Sequence, residues 1–389
     1  MRTAYEFIVV GCGGIGSAAA YRLARAHGPD VLALERFALG HDAGASQDHS
    51  RIIRLSYHAA EYTALTPATY RAWAEVEAET GVQLVVKTGG LDVGEEAFGA
   101  LDAYAGAMSD AGIPFRRLTA AETMAEFPQW RLDGRHAALY QEETGLVDAR
   151  KANQAHQLLA RAHGATILDN TPVTAIRPLG DGAGVEVVTD AATFTCRRLV
   201  VAADAWTNSV LAGAGVDWPL TTTQEQVTYW ATPRVRDFAP DRFPTWIWHG
   251  PQAFYGFPVY GEVATKAGVD VGGDVVDPDT RTYERNPRAD ALLRGFLDAR
   301  IPGYTGPELY TKTCLYTMPP DRQFTVATLP EHPQIAVCQG AAHAYKFAAL
   351  LGEILCELAT TGASSHPIAA FSATRPALTD PSFRPEFNI

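Results

Sequence analysis

A glycine-rich loop near the N-terminus has the residue types and spacing to hold a phosphorylated ligand. Gly11, Gly13 and Gly16 follow an apolar segment at residues 7–10, and Glu35 closes the next apolar segment. The first glycine permits a tight turn, the second lets the backbone approach a pyrophosphate, and the third allows a helix to pack closely on the strand. A carboxylate at position 35 can accept hydrogen bonds from ribose hydroxyls. The pattern predicts a dinucleotide site and by itself fits FAD and NAD equally.

The elements around this loop form a complete βαβ unit. Residues 7–10 and 31–34 are apolar and partly β-branched, which is typical of buried parallel strands, and the alanine-rich residues 17–25 predict a helix. The N-terminus of that helix offers free N–H groups to the phosphates. Because the unit lies at the extreme N-terminus and the rest of its domain is split around inserted segments, we favour FAD over NAD.

Apolar periodicity in the remaining chain predicts a second domain inserted into the first. Helices are expected at residues 62–79, from residue 148 onward, and along the apolar stripe from 347 to 358. Strands are expected at residues 166–168, 172–176, 185–188, 193–196 and 199–203. We predict a two-domain α/β (α+β) protein, a Rossmann-like FAD-binding domain with an inserted antiparallel-sheet substrate domain. The FAD-binding domain takes residues 1–80, 144–218 and 302–389, and the substrate domain takes residues 81–143 and 219–301.

Residues 44–54, which read Gly-Ala-Ser-Gln-Asp-His-Ser-Arg-Ile-Ile-Arg, resemble the monomeric sarcosine oxidase and N-methyltryptophan oxidase family of amine-oxidising flavoproteins. The resemblance extends over nearly the whole chain. Further matches are residues 87–90 (Lys-Thr-Gly-Gly), 255–258 (Tyr-Gly-Phe-Pro), 266 (Lys), 314–317 (Cys-Leu-Tyr-Thr), 320–321 (Pro-Asp), 343–347 and 372–378. The Cys-x-Tyr-Thr and Lys-Phe elements are much more specific than the glycine loop.

The resemblance implies FAD as the cofactor and a covalent attachment through Cys314. At this position the family forms a thioether to the 8α-methyl group of the flavin, and the attacking species in such a reaction is a thiolate. Cysteine alone would be interpreted as a buried structural residue, but the surrounding motif favours the link. The cofactor contacts predicted from the loop and from the resemblance are Gly11, Gly13, Gly14, Ile15, Gly16, Glu35, Arg36, Ser46, Gln47, Arg51, Val173, Cys314 and Lys346.

The resemblance also implies a set of catalytic residues. Arg54 and Lys346 match positions that hold the substrate carboxylate, the arginine as a planar fork and the lysine as a point charge. Lys266 matches the lysine that promotes the reaction with oxygen, because a fixed cation stabilises the negative charge that develops. Tyr255 and Tyr316 match positions that line the substrate pocket, although both are also compatible with ordinary packed tyrosines.

The sequence departs from the family pattern at five positions near the flavin and the substrate. Ser46 and Gln47 replace imidazoles, Asp48 and Asp204 replace glycines, and Asp270 replaces a pocket histidine. A carboxylate at position 270 is expected to disfavour a second substrate carboxylate and to favour a cationic or hydroxyl-bearing group. The flavin and carboxylate machinery is thus predicted to be retained, whereas sarcosine itself is in doubt as the substrate.

Bulk composition excludes several function classes. The net charge of −12 argues against nucleic acid as a partner. The N-terminus lacks an apolar signal region, and no apolar run approaches the roughly 20 residues that span a bilayer. The five cysteines are scattered without CxxC spacing, which argues against a zinc site and suits a reducing compartment. We expect a cytoplasmic protein that binds no metal, and the resemblance implies a monomer.

The predicted reaction is oxidation of a secondary amine of amino-acid type to an imine, with O2 reduced to H2O2. An N-methyl amino acid would then release formaldehyde on hydrolysis of the imine. Asp270 and Gln47 keep open a cyclic secondary amine of proline or pipecolate type, or an intermediate of secondary metabolism. Two further alternatives are a flavin-binding protein without catalysis and an NAD-dependent dehydrogenase.

Overall fold

The computed structural model describes residues 2–385, the side chain of residue 181 excepted. Its strands are β1 (Ala4–Val10), β2 (Val31–Leu34), β3 (Arg51–Ile53), β4 (Val85–Lys87), β5 (Gly90–Glu95), β6 (Arg116–Thr119), β7 (His136–Gln141), β8 (Gly145–Val147), β9 (Thr166–Leu168), β10 (Val173–Leu179), β11 (Gly184–Thr189), β12 (Thr193–Val201), β13 (Thr221–Trp230), β14 (Thr245–His249), β15 (Ala253–Phe257), β16 (Thr265–Asp270), β17 (Asp274–Val275), β18 (Glu308–Met318), β19 (Thr325–Thr328) and β20 (Ile335–Gln339). Its α-helices are α1 (Gly14–His27), α2 (Ala60–Thr63), α3 (Thr66–Thr80), α4 (Ala100–Asp110), α5 (Ala120–Glu126), α6 (Ala149–Ala162), α7 (Thr207–Leu211), α8 (Pro287–Arg300), α9 (Ala348–Thr361) and α10 (Pro376–Thr379).

The first sheet has eight strands and contains the predicted βαβ unit. Strand β1 lies between β12 and β2 and pairs in parallel with both, and β9 extends the sheet beyond β2. Strand β20 adds to β12 on the other side of its C-terminal half. Helices α1, α6 and α9 bury their apolar faces in one common core with this sheet. The carboxyl ends of β1 and β2 therefore meet at one edge, where the glycine loop begins.

Two predicted elements differ from the observed ones. The hairpin strand at 193–196 and the strand at 199–203 are one strand, β12, whose first half alternates between buried and exposed residues and whose end is buried on both faces. It leaves an antiparallel hairpin and enters the parallel sheet, which explains the change of pattern. The helix predicted at 62–79 is divided into α2 and α3, because Pro67 lacks an N–H donor and begins a new helix at its first turn.

The second sheet has nine strands and is antiparallel except where β14 pairs with β5. Its order is β17-β13-β16-β15-β14-β5-β7-β6, and β18 pairs with β13 along ten positions, from Glu308 to Met318. The predicted boundary between residues 301 and 302 thus differs from the sheet boundary, since β18 belongs to this sheet. Pairing between segments that are far apart in sequence leaves no local signal.

The third sheet is small and has the strand order β3-β8-β4. The segment that leads into β3 contacts β16, because Lys266 donates to the carbonyl of Ser50 at 2.9 Å. Within residues 2–385, no helix combines the length and the apolarity needed to cross a bilayer.

Candidate functional site

The glycine loop between β1 and α1 is packed too closely for side chains. Gly11 has a φ of 91°, and a Cβ there would lie 2.3 Å from the carbonyl oxygen of Ala202. A Cβ on Gly16 would lie 2.0 Å from the carbonyl oxygen of Gly11, and one on Gly13 would lie 2.8 Å from the hydroxyl of Ser46. Gly16 lines neither of the cavities described below, so its part is close helix–strand packing. These are the mechanical roles that the motif predicts.

The Glu35 carboxylate is buried at the end of β2 and is held by backbone groups. The amide of Cys12 donates to Oε2 at 2.8 Å, the amide of Phe37 donates to Oε1 at 3.0 Å, and His41 Nε2 lies 3.3 Å from Oε1. Burial acts to raise the pKa of Glu35, but these hydrogen bonds outweigh it and lower the pKa. A fixed carboxylate with further lone pairs remains to receive ribose hydroxyls.

Two adjoining cavities run from Glu35 toward the antiparallel sheet. The smaller, of about 110 Å³, is lined by Gly11, Glu35, Arg36 and Val173 among others, and the larger has a volume of about 400 Å³. Both are lined by Gly13, Gly44, Ala45, Ser46, Gln47, Ala202 and Asp204. A long cavity that passes the N-terminus of α1 suits an extended dinucleotide such as FAD, whose pyrophosphate would lie at the helix end.

Polar side chains fix both sides of the junction between these cavities. The hydroxyl of Ser46 accepts a hydrogen bond from the amide of Gly14 at 3.0 Å, and Asn153 Nδ2 donates to the Ser46 carbonyl at 2.7 Å. Arg36, at the outer end of the smaller cavity, pairs with Asp279 at 2.8 Å. The predicted contacts on loops after β1, β2 and before β3 are thus brought to one wall.

Period-two alternation in three strands supplies the opposite wall of the larger cavity. Side chains two apart on a strand face the same side, and the pairs Tyr255 and Phe257 on β15, Lys266 and Asp270 on β16, and Cys314 and Tyr316 on β18 all line it. The sheet therefore presents Cys314, Lys266 and the two predicted pocket tyrosines on one face.

The Cys314 thiol lies in this wall as a free cysteine. Burial raises its pKa to about 11, against the opposing effect of Arg51. The thiol is therefore protonated at neutral pH in this structure, and nearby cations favour its thiolate. Arg51 itself braces the loop before β3, since it donates to the carbonyls of Ala45 at 2.9 Å and Gln47 at 2.5 Å.

Lys266 is buried and makes an ion pair that the sequence did not reveal. Its Nζ lies 2.6 Å from Oδ2 of Asp48 and donates to the carbonyl of Ser50 at 2.9 Å. Burial lowers the pKa of Lys266 to about 8, although Asp48 acts to raise it. Asp48 was recognised only as a replacement for glycine, and no local signal joins it to a lysine so distant in sequence.

Arg54 and Lys346, the two residues predicted to hold the substrate carboxylate and here called the carboxylate clamp, line the larger cavity. Arg54 is buried against the rings of Tyr57 and Tyr104, with its guanidinium carbon 4.7 and 5.4 Å from the ring centres. Its Nη1 pairs with Asp92 at 3.1 Å. Lys346 Nζ donates to the carbonyl of His343 at 2.8 Å, and burial, with Arg54 and Arg322 nearby, keeps the pKa of this lysine well below its usual value.

Two charged residues near this clamp, Asp92 and Arg322, were missed from the sequence. Asp92 also lies 2.8 Å from His249 Nε2 and accepts from Ser56 at 2.7 Å. Asp270 forms a bidentate pair with the buried Arg322 at 2.7 and 2.9 Å. Only Arg322 had a sequence signal, because it directly follows the Pro-Asp element.

Asp270, the carboxylate predicted to disfavour a second substrate carboxylate, is balanced in the structure by Arg322. Its pKa is lowered, since the arginine outweighs the effect of burial. In the chamber as a whole, Arg54, Arg322 and Lys346 face the carboxylates of Asp92 and Asp270. Asp92 and Asp270 offset the charges of Arg54 and Arg322, so Lys346 is the basic group left for a substrate carboxylate, which would favour its charged form.

Asp204 lies where the two cavities meet. Its φ is 44°, and its Oδ2 is buried without a hydrogen-bond partner among the described residues. Burial raises the pKa of Asp204 to about 7. The catalytic and cofactor residues predicted from the sequence, Gly16 excepted, therefore all line one or both of the two cavities.

Comparison with known proteins places the chain among flavoenzymes. A family model described as "DAO: FAD dependent oxidoreductase" matches residues 6–358. The chain is 34% identical to the monomeric sarcosine oxidase of Streptomyces avermitilis, over 96% of this chain and 98% of the relative. It is 30% identical to the N-methyl-L-tryptophan oxidase of Yersinia pestis, over 95% of this chain and 99% of the relative. NikD, described as an unusual amino acid oxidase essential for nikkomycin biosynthesis, matches with a TM-score of 0.84 at 26% identity, covering 95% of this chain and 98% of that chain.

Proposed function

From the premise that the chain belongs to the family of FAD-dependent oxidoreductases, we propose that it oxidises a secondary amine of amino-acid type, such as an N-methyl amino acid, to an imine. The predicted fold class, FAD dependence and family resemblance are confirmed by the comparisons. The observation that carries the proposal is the chamber in which the basic side chains of Arg54, Lys346 and Arg322 outnumber the two carboxylates that face them, beside the wall that bears Cys314.

The chain supplies binding, orientation and electrostatics to this reaction. When bound, FAD accepts a hydride equivalent from the substrate carbon and transfers two electrons to O2, giving H2O2. Arg54 and Lys346 would bind the substrate carboxylate, and the aromatic wall of Tyr255 and Tyr316 would confine the amine. Both tyrosine hydroxyls have pKa values raised by burial and stay protonated, so they act as hydrogen-bond donors rather than bases.

The basic side chains of the chamber also favour the reactive form of the substrate. Nearby cations lower the pKa of an amine because they disfavour its protonated form. The neutral amine has the lone pair that must assist C–H cleavage. The same charges that hold the carboxylate therefore help to remove the proton from nitrogen, and no side chain need act as the proton-abstracting base.

Anaerobic mixing tests the reductive half of the proposal. N-methyl amino acids with small, aliphatic and aromatic side chains should bleach the flavin absorbance, and the same compounds should release H2O2 in air. N-methylalkylamines that lack the carboxylate are the matched control and should react far more slowly. If no secondary amine bleaches the flavin, the proposal is wrong and flavin binding without catalysis becomes the better interpretation.

Cyclic secondary amines are a second candidate class. The pocket departs from the family pattern at Asp270, which pairs with Arg322. Proline and pipecolate therefore belong in the same panel. Faster bleaching by either compound than by any N-methyl amino acid would favour this class.

The covalent flavin link through Cys314 is also part of the proposal. Its support is the place of the thiol in the cavity wall, close to Arg51 and Lys266, which both favour the thiolate. Acid precipitation of the holoenzyme should leave the yellow colour in the pellet. Cys314→Ser should release it to the supernatant, whereas Cys338→Ser, at a second cysteine lining the same cavity, should not. Retention of colour by Cys314→Ser would exclude this attachment site.

The protein is further proposed to act as a monomer, as the name of the relative from Streptomyces avermitilis suggests. Light scattering coupled to size-exclusion chromatography should give a mass near 42 kDa at all protein concentrations tested.

A further inference from the structure

Asp48 has a backbone conformation that residues with side chains avoid. Its φ is 124°, a region in which glycine is at ease and an aspartate is strained. Such conformations are strained and persist where the surroundings hold them. The residue follows Gln47, which lines both cavities, and its own side chain lines the larger one.

Both oxygen atoms of the buried Asp48 carboxylate make polar contacts with neighbouring residues. Oδ2 lies 2.6 Å from Lys266 Nζ and 3.6 Å from Arg51 Nη1. Oδ1 accepts hydrogen bonds from the Tyr229 hydroxyl at 2.5 Å and from the amide of His49 at 2.9 Å. The strained backbone thus places the Asp48 carboxylate where it contacts both Lys266 and Arg51.

We infer that Asp48 is a positioning residue for the oxidative half-reaction, which fixes the ammonium group of Lys266 and keeps it charged where O2 is reduced. This inference rests on the proposed function insofar as it takes Lys266 to be the cation that serves O2. It adds a residue that the family pattern does not supply, because glycine stands at that position in the pattern.

The electrostatic surroundings of Lys266 show why a charge partner is needed. Burial and Arg51, from β3, lower its pKa, Asp48 raises it, and the balance of these effects is a pKa of about 8. Tyr229 on β13 also faces the lysine, and burial together with Asp48 raises the pKa of that hydroxyl. Without the Asp48 carboxylate, the strong effects that remain on the pKa of Lys266 are burial and Arg51, and both lower it.

The remaining neighbours do not change charge in the relevant range. Cys314 on β18 faces Lys266, and burial raises the pKa of its thiol to about 11. Phe257 on β15 is the other close neighbour, with its ring centre 4.6 Å from Nζ, and it does not titrate. Lys266 is therefore the group of this wall that loses its charge as the pH rises through about 8.

The charge matters because negative charge develops on oxygen during the reaction. Two electrons and one proton pass from the anionic reduced flavin to O2, a second proton comes from solvent, and H2O2 leaves. A fixed ammonium stabilises the developing charge, and a neutral amine does not. Loss of an opposite charge at contact distance shifts a pKa by about 1–3 units, so without Asp48 the reaction should slow at a correspondingly lower pH.

The test uses the holoenzyme reduced photochemically, so that no substrate is needed, and mixed with O2 from pH 5.5 to 9.5. For the native enzyme, the rate of flavin reoxidation should fall as the pH passes about 8. For Asp48→Asn and Asp48→Gly, the midpoint of that fall should move down by at least about one pH unit. Glycine relieves the backbone strain, so this variant remains informative if the asparagine variant folds poorly.

A second measurement does not depend on turnover. The absorption spectrum of oxidised flavin responds to nearby charge, so a pH titration of the resting holoenzyme should show a step at the Lys266 midpoint. The step should move down with the rate profile in both Asp48 variants and be absent in Lys266→Gln. Glu262→Gln, which removes a half-exposed carboxylate 3.1 Å from His49 in the same loop cluster, is the control and should leave both profiles unchanged.

Identical midpoints in native enzyme and both Asp48 variants would overturn the inference. A Lys266→Gln enzyme that reoxidises at the native rate would overturn it as well, because the lysine would then not serve O2. Failure of every amine to bleach the flavin would contradict the proposed function alone, since photoreduced enzyme would still report the Asp48-dependent profile.

Discussion

At one end of its long cavity the protein presents glycines and backbone amides, and at the other it presents three cations and two carboxylates. The nucleotide end is built by neighbours in sequence, since β1, the glycine loop and α1 are continuous. The substrate chamber is assembled from β3, β5, β14, β16 and the segments after β18 and β20, which meet only in the folded chain.

This difference determines how each end tolerates change. At the nucleotide end glycines leave room for the ligand, and an atom added at Gly11 or Gly16 meets backbone that cannot move. In the chamber recognition depends on a balance of charges, so a substitution changes selectivity or affinity before it prevents folding. The predictions below test this contrast, beginning with the largest expected effect.

Gly16→Ala should have the most severe effect. The new Cβ would lie 2.0 Å from the carbonyl oxygen of Gly11, and neither backbone segment can yield without separating α1 from β1. We expect loss of bound FAD and destabilisation by at least about 3 kcal/mol, measured by flavin content and urea unfolding. Gly106→Ala on α4 is the control, since a Cβ there meets nothing within 4 Å. Native flavin content in Gly16→Ala would show that the nucleotide end is not rigid.

Asp270→Asn should destabilise the chamber by about 3–5 kcal/mol, because it removes the bidentate partner of a buried arginine. Arg322 is only 3% exposed. Joint replacement, Asp270→Leu with Arg322→Met, should cost less than the single change, since no buried charge is left uncompensated.

The control for this ion pair is the exposed bidentate pair Arg116–Glu126, where Glu126→Gln should change stability by less than about 1 kcal/mol. If Asp270→Asn costs no more than Glu126→Gln, then the chamber is more solvated than its burial indicates.

The contrast also explains what could be predicted from the sequence. The βαβ unit and its glycines were predictable because their geometry is local. Cys314 and Tyr316 were identified by the family resemblance, and period-two alternation on β18 explains why both line one cavity. The family resemblance identified Arg54, Lys266 and Lys346, although it could not show what they contact. Asp48, Asp92 and Arg322 acquire their roles by pairing with residues on other elements, and one sequence does not record such pairs. Residues 386–389, the end of the predicted FAD-binding segment, lie outside the described part of the chain.

Lys346→Met should weaken substrate binding with little effect on the fold. The lost charged hydrogen bond is worth about 1.5–3 kcal/mol, so we expect KM for an N-methyl amino acid to rise about 10- to 100-fold. An N-methylalkylamine without a carboxylate should show no such change. Lys312→Met, at a partly exposed lysine that lines the same cavity, is the matched control. An equal rise of KM for both substrates would mean that Lys346 does not bind the carboxylate.

The smallest effect is expected at the junction of the two ends, where Asp204 combines a buried carboxylate with a strained backbone. Burial raises its pKa to about 7 from the usual 3.8, so the folded protein retains a proton that the unfolded chain releases. Stability should therefore fall as the pH rises from about 4 to about 7, and Asp204→Asn should abolish that fall. At pH 8 the variant should melt at least about 2 °C above the native protein, whereas the two should be alike at pH 4. Asp110→Asn, at an exposed position on α4, should leave the pH dependence unchanged. If stability still falls with rising pH in the Asp204→Asn protein as it does in the native protein, the Asp204 carboxylate has a partner in solution. The junction would then resemble the substrate chamber, where charges are balanced, more than the nucleotide end, which is built from backbone.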